Sequence, residues 1–322
     1  MSKIAYIDCP TGISGDMFLS ACIDAGLSVE ELVKELKKLD VTGYKIDSGR
    51  KDKNGLCGQY FKVLIEKQHH HRSWQDIKKI IEKSELTLPV KKKSISVFNA
   101  LAIAEARVHG VSKEEVHFHE VGAIDSIVDI VGAAIAVELL RIKKLYVSPL
   151  PMGHGWVKAA HGQIPLPAPA TLALLENCPV YPLDVESELV TPTGAAIAVA
   201  LADGFGRWPH MTIQKVGFGA GGLNFQDRAN ILRLAIGEEL HSETVMDFHG
   251  SGPAETHDHH HPGQVHDHNH LCDHSHSHSH EPIHHMKNHQ RCPVPALAKP
   301  EPNKQTKAKQ NSPDHKKNAQ HG

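Results

Sequence analysis

The sequence predicts a mixed α/β fold: a central sheet with packed helices over residues 1–240, then a disordered His-rich tail over residues 241–322 that becomes rich in Lys, Pro and Gln. Three observations carry this. Short β-favouring runs alternate with segments of helical spacing through the first 240 residues. Residues 123–141 are rich in Ala, Ile and Val and apolar nearly all round, the pattern of a helix enclosed by other elements. Beyond residue 240 the only aromatic is Phe248, and 18 of the chain's 27 histidines crowd into that last stretch. Such a composition buries too little apolar surface to offset the entropy of ordering.

The elements follow in order. Lys3 to Ile7 is a short strand, and Asp8 to Asp16, with two Gly and one Pro, is turn chemistry. Met17 to Ala25 has helical spacing, with Phe18, Cys22 and Ala25 on one stripe and Gly26 as the stop signal. Ser28 with Glu31 three residues on starts a second helix. Residues 44–66 read as two strands around Lys53-Asn54-Gly55, and Asn-Gly is a strong hairpin signal. Ser73 caps a helix through Ile77, Ile80 and Ile81; residues 90–108 form another, and 123–141 the buried one. Lys144 to Val147 is a strand. Residues 148–170 are dense in Pro and Gly and too long for an ordinary connection, which marks a functional loop. Helices resume over 169–176 and 194–203, Gly217 to Gly222 reads as a Gly-rich turn, and Asn230 to Ile236 closes with a strand.

Composition excludes several classes. A formal net charge of -2 gives no basic field for nucleic acid or anionic lipid. No apolar run approaches about 18 residues, so no membrane span is expected. The start, MSKIAYIDCP, lacks the cationic head and long apolar run of a secretory signal. The six cysteines include no CxxC pair, the pattern of reduced thiols in a cytoplasmic protein.

The densest chemistry lies at His117, His119, Glu120, Asp125 and Asp129. Two histidines two apart share a face in an extended segment, and two aspartates four apart share a face of a helix. Imidazoles and carboxylates converging at a loop-to-helix junction suit divalent metal binding or acid–base work. The Asp8, Gly12, Ser14, Gly15, Asp16 turn sets carboxylates and backbone N–H groups at a helix start, able to hold an anion or a metal. His154 and His161 sit in the long loop as further ligand candidates. Thr193 either caps a helix or contacts a phosphate. Gly219 and Gly221 would let backbone approach a ligand, and Arg228 is either a phosphate partner or half of a surface ion pair. His69, His70, His71 and the tail histidines form tracts that bind nickel or zinc loosely.

These segments resemble the LarC nickel-insertion family. The resemblance rests on Asp8-Cys9 with Gly12 to Met17, the histidine run before Arg72-Ser73, and His117 to Gly122 through Asp125 and Asp129. It extends to Pro149-Leu150-Pro151, Gly153-His154-Gly155, His161-Gly162, Thr191 to Gly194, and Gly219, Gly221, Asp227, Arg228 and Asn230, covering about residues 2–237. It implies insertion of nickel into pyridinium-3,5-bisthiocarboxylic acid mononucleotide. Nickel enters between two thiocarboxylate sulfurs and a ring carbon, giving the nickel-pincer nucleotide of lactate racemase and related enzymes. It also implies CTP with Mn or Mg, bound by a carboxyl-terminal domain that this sequence replaces with low complexity. The chain is thus expected to be the amino-terminal component of a cyclometallase, homo-oligomeric and completed by a separately encoded or frameshift-made domain. The assigned expectations are Asp125, Asp129 and Glu120 for catalysis, and Gly12, Ser14, Gly15, Thr193, Gly219, Gly221 and Arg228 for the substrate phosphate. His117, His119, Asp8, Asp16, His154, His161 and His69 to His71 are expected to hold metal. The competing readings are a nickel storage or delivery protein without catalysis, and a nucleotide hydrolase with an incidental His tail.

Overall fold

The computed structural model describes residues 2–66, 72–118, 123–159 and 162–240. Its architecture is decided by the alternation of the first strand. In β1 (Lys3–Asp8), Ala5 and Ile7, followed by Cys9, join the main apolar core, while Ile4 and Tyr6 point the other way and lie outside that cluster. The chain continues through α1 (Gly15–Asp24), α2 (Val29–Leu36), the hairpin β2 (Tyr44–Lys53) and β3 (Leu56–Ile65), then α3 (Trp74–Lys83), α4 (Leu88–His109) and α5 (Ile124–Leu139). There follow β4 (Lys144–Val147), β5 (Leu150–Met152), β6 (Trp156–Ala159), β7 (Gly162–Pro165), α6 (Pro169–Leu174), β8 (Val180–Pro182), α7 (Pro192–Leu201), β9 (Gly204–Phe205), β10 (Met211–Ala220) and β11 (Ile231–Glu239).

Seven strands form one mixed sheet in the order β2-β3-β10-β11-β1-β4-β9. β1, β4 and β9 run parallel, and β1 pairs antiparallel with β11, from Lys3 opposite Glu238 to Asp8 opposite Arg233. Two further pairs stand apart from it, β5 with β8 and β6 with β7. The core fills the space between one sheet face and the helices. α1 lies across β3, β10 and β11, and α5 packs behind it. The opposite face carries Tyr6, Val216, Phe218, Arg233 and Asp8, with Val216 50% exposed.

Local chemistry explains most boundaries. Ser28 accepts from the Glu31 N–H, and Ser73 and Asp76 form a reciprocal capping box. Asn54 and Gly55 both take positive φ, 53° and 82°, as a tight two-residue hairpin with a mirror-image turn requires. α5 is buried along nearly its whole length, as its composition predicts. Among the described residues no helix is long and apolar enough to cross a membrane.

Three expectations change. The segment 217–222 is not simply a turn, because Gly217 to Ala220 belong to β10. A Cβ at Gly217 would run into the Ala21 carbonyl, and one at Gly219 into the Met17 carbonyl. The glycines let a strand lie directly on the backbone of α1. The Pro/Gly-rich stretch 148–170 holds three short strands. The cap of α7 is Thr191, whose hydroxyl accepts from the Gly194 N–H at 3.1 Å, with Pro192 as the first helical residue; Thr193 lies inside the helix.

Candidate functional site

The turn between β1 and α1 is the hinge of the site. Gly12 takes φ 108°, a conformation that L side chains rarely adopt, and its missing side chain makes room for the Leu189 carbonyl. Ile13 then bridges Val190: its N–H donates to the Leu189 carbonyl at 3.0 Å, and its carbonyl accepts from the Thr191 N–H at 3.1 Å. The starts of α1 and α7 are thereby tied together, and Gly194 packs on Ile13 and Ser14.

The same turn delivers Asp16 to α5. Asp16 sits in the first turn of α1, where its carboxylate accepts from the Ser14 hydroxyl and from the Met17 N–H at 2.9 Å. Gly15 abuts Asp129, and the Asp129 carboxylate accepts from the Asp16 N–H. Asp125, one turn earlier on α5, is exposed and accepts from the Ser126 N–H at 2.8 Å. Burial raises the Asp129 carboxyl well above the usual range, and the charges of Asp16 and Asp125 raise it further. Burial also raises Asp16, with Asp125 adding to the shift against the lowering hydrogen bond from Ser14. Both side chains keep a little solvent-accessible surface although protein surrounds them on nearly all sides; the surrounding protein governs, because it sets the cost of the charge.

Two of the three carboxyls are thus pushed up by burial and the third faces solvent, an arrangement of the kind general acid–base chemistry uses. They do not make a metal cage: among the described residues no group of three or more His, Cys, Asp or Glu is arranged to hold an ion. His117 precedes α5 on the other side of the undescribed residues 119–122. It is exposed, bridges Ser73 and sits near enough to Asp76 to help lower that carboxyl, after the larger effects of the Ser73 hydrogen bonds. Its neighbour Phe118 turns inward against Phe98. His119, Glu120, His161 and His69 to His71 lie outside the described residues.

The remaining expected residues separate into packing positions and surface pairs. The space before Gly219 is filled by α1, and that before Gly221 by Asn230 and the Met17 sulfur. Asn230 is buried, and its side-chain carbonyl accepts from the Thr11 hydroxyl at 3.1 Å. Asp8 is paired with Arg233, directly opposite it on β11. Arg228 pairs with Asp227, its Nε 3.0 Å from the carboxylate, and also feels the charge of Asp184, which His154 contacts at 2.9 Å.

Beside Asp8, residues missed by sequence reasoning gather at the carboxyl ends of β1, β4 and β9. A cleft of about 560 Å³ there is lined by Tyr6, Asp8, Tyr181, Arg207 and Trp208, with Ser148 and the adjoining prolines. The Tyr6 and Trp208 rings lie 4.3 Å apart at 36°. The Tyr6 hydroxyl donates to the Gly206 carbonyl at 2.9 Å, and burial with the neighbouring Asp8 pushes the phenol up to about 12. The available signal was scarcity: aromatics are 5% of the chain, and three of them meet here. They are far apart in sequence, so only the strand order unites them.

A profile described as nickel insertion protein matches residues 5–262. A putative nickel insertion protein of Syntrophobacter fumaroxidans is 50% identical over 236 residues, which is 73% of this chain and 61% of the relative. The pyridinium-3,5-bisthiocarboxylic acid mononucleotide nickel insertion protein of Geobacillus kaustophilus is 45% identical over 247 residues, 74% of this chain and 60% of the relative. A protein of the same description from Staphylococcus epidermidis is 47% identical over 234 residues, 73% and 59%. The chain thus spans about three fifths of the length of the curated relatives it matches. No solved structure matches it.

Proposed function

Because the chain belongs to the nickel insertion protein family, we propose that it takes part in inserting nickel into pyridinium-3,5-bisthiocarboxylic acid mononucleotide. The carboxylate group of Asp16, Asp125 and Asp129 is the observation that carries this reading. Metallating a ring carbon replaces a C–H bond by a nickel–carbon bond. The C–H electron pair passes to the new bond and the proton leaves to a base. Asp125, the solvent-facing member, receives that proton, and Asp16 and Asp129, whose carboxyls burial pushes up, stand behind it. The product is the nickel-pincer nucleotide of lactate racemase and related enzymes. His117, with His119 and Glu120 beside it in sequence, presents nickel to the nucleotide from the segment before α5.

CTP with Mn or Mg does not fit the glycine segments of the described residues. Gly12, Gly217 and Gly219 are closed by Leu189, Ala21 and Met17, so their backbones cannot cradle a triphosphate. We assign CTP to a carboxyl-terminal domain like the remainder of the longer relatives, and no step above passes through it.

The test is reconstitution. The chain is mixed with the carboxyl-terminal domain of a longer relative, nickel, CTP and the nickel-free nucleotide, and product is followed by mass. Formation of the nickelated nucleotide, lost in Asp125→Asn, supports the reading; no product under any combination overturns it.

A second reading, nickel storage or delivery, is favoured by the 18 histidines after residue 240. It predicts several bound nickel ions per chain and no product in the same assay.

A further inference from the structure

We propose that Lys53 is a positioning residue for the carboxylate site: its buried ammonium gathers the loop between β10 and β11, and that loop, through Asn230, holds the Thr11 turn from which Asp16 is presented. The bearing on chemistry rests on the insertion reading above, whereas the positioning itself does not depend on it.

β2 singles the residue out. Of its ten residues only Lys53, the last before the Asn54-Gly55 turn, is buried, and it is 3% exposed. A buried cation is normally met by a carboxylate. Lys53 makes no such pair among the described residues. Its Nζ donates instead to the Gly222 carbonyl at 3.3 Å, the Leu223 carbonyl at 2.8 Å and the Asn224 side-chain carbonyl at 2.7 Å. An ammonium has three N–H donors and no acceptor, and here the oxygens of three consecutive residues take them. A neutral amine would turn its lone pair against one of those oxygens, so the cage is built for the charged form.

The neighbouring side chain extends the hold. Asn54 Nδ2 donates to the Phe225 carbonyl at 2.8 Å and to the Arg228 carbonyl at 2.9 Å. The tip of one hairpin thus grips the loop over residues 222–228. The loop has little apolar anchorage of its own, since Leu223 is 41% exposed.

The hold passes inward through one oxygen. The Leu223 carbonyl that Lys53 binds also accepts from Asn230 Nδ2 at 3.2 Å, and the carbonyl end of that same amide accepts from the Thr11 hydroxyl at 3.1 Å. Asn230 and Thr11 are both buried, where little water competes for these bonds. Thr11 opens the turn through Gly12 and Ser14 to Asp16, and the far side of that turn is tied to Leu189 and Thr191. The turn is pinned from two sides, and Lys53 is the charged end of the second pin.

The test follows the full chain by native-state hydrogen exchange with mass readout, in the absence of nickel and nucleotide. Lys53→Met keeps the stem and loses the ammonium. Amides of residues 222–230 and 11–16 should then exchange at least about tenfold faster, and those of α3 less than about twofold faster. In Lys53→Ala, n-propylammonium should restore protection of both segments saturably, whereas tetramethylammonium, a cation without N–H donors, should not. Where the Lys53 variants do not fold, Thr11→Val decides: it should free residues 11–16 and leave 222–225 protected. Exchange that rises evenly through the chain overturns the proposal, as does loosening of 222–230 without 11–16. Equal effects of the two ammonium ions, or residues 11–16 still protected in Thr11→Val, also overturn it. None of these readouts involves insertion, so a failure here is distinct from an absence of nickelated product.

Discussion

A methyl group added at Gly15 would stand 2.6 Å from the Asp129 Cβ and 2.7 Å from its carboxylate oxygen Oδ2. The first residue of α1 therefore serves as a lid on a carboxylate of α5. It covers one side of Asp129 while leaving the Asp16 N–H aimed at it.

That enclosure has a pH signature. Asp129 and Asp16 hold their protons to higher pH when folded than when unfolded. Above the ordinary carboxylate range the native state therefore binds more protons than the unfolded chain. Stability should fall as pH rises towards the folded values, by up to about 1.4 kcal/mol per pH unit for each group. Asp129→Asn should flatten this slope and raise the urea midpoint at pH 7–8. Urea melts of both proteins between pH 4 and 8, with chelator present, check it; a slope unchanged by the substitution contradicts the assignment.

Asp125→Asn separates chemistry from folding. The side chain is exposed and its local partner is the adjacent Ser126 N–H. Loss of a charge at a helix start costs up to about 1 kcal/mol, whereas loss of a base costs on the order of 100-fold in rate or more. Insertion in the reconstituted system should collapse while the melting temperature moves by a few degrees. Near-normal turnover would make the aspartate structural.

Two neighbouring glycines should behave oppositely. Gly219→Ala drives a Cβ into the Met17 carbonyl, whereas Gly222 has open space around it. We expect Gly219→Ala to cost about 3 kcal/mol or more, or to prevent soluble expression, and Gly222→Ala to lie within about 0.5 kcal/mol of the parent. Chemical denaturation of the pair decides it.

Thr191→Ala removes the side-chain acceptor of the Gly194 N–H. It should cost about 1 kcal/mol. Thr193→Val, inside the helix, loses no cap and should cost less in the same melts.

What the sequence made legible were features whose cause lies within a few residues. The Asn54-Gly55 hairpin, the Ser28 and Ser73 caps and the apolar length of α5 are of this kind. β9 is only two residues long, and the first half of β10 is exposed, so neither shows a buried-strand pattern. The glycines of β10 resemble a loop until α1 is laid across them. The site divides in the same way. Asp125 and Asp129 announce themselves by helical spacing, but Asp16 joins them only through the contact of α1 with α5, and Tyr6 meets Trp208 only through the order of the strands.

The pairing of β1 with β11 also sets a timetable. Lys3 must find Glu238 before the centre of the sheet exists. At about 5–20 residues per second, β1 waits roughly ten to fifty seconds for its antiparallel neighbour. Over that interval the nascent chain can assemble α1 to α5 around their shared apolar surfaces, and β4 becomes available to pair with β1 only in its later part. Of the described strands, the last to be translated is thus the one that locks the first, and a ribosome stalled before Ile231 would present an open sheet edge to chaperones.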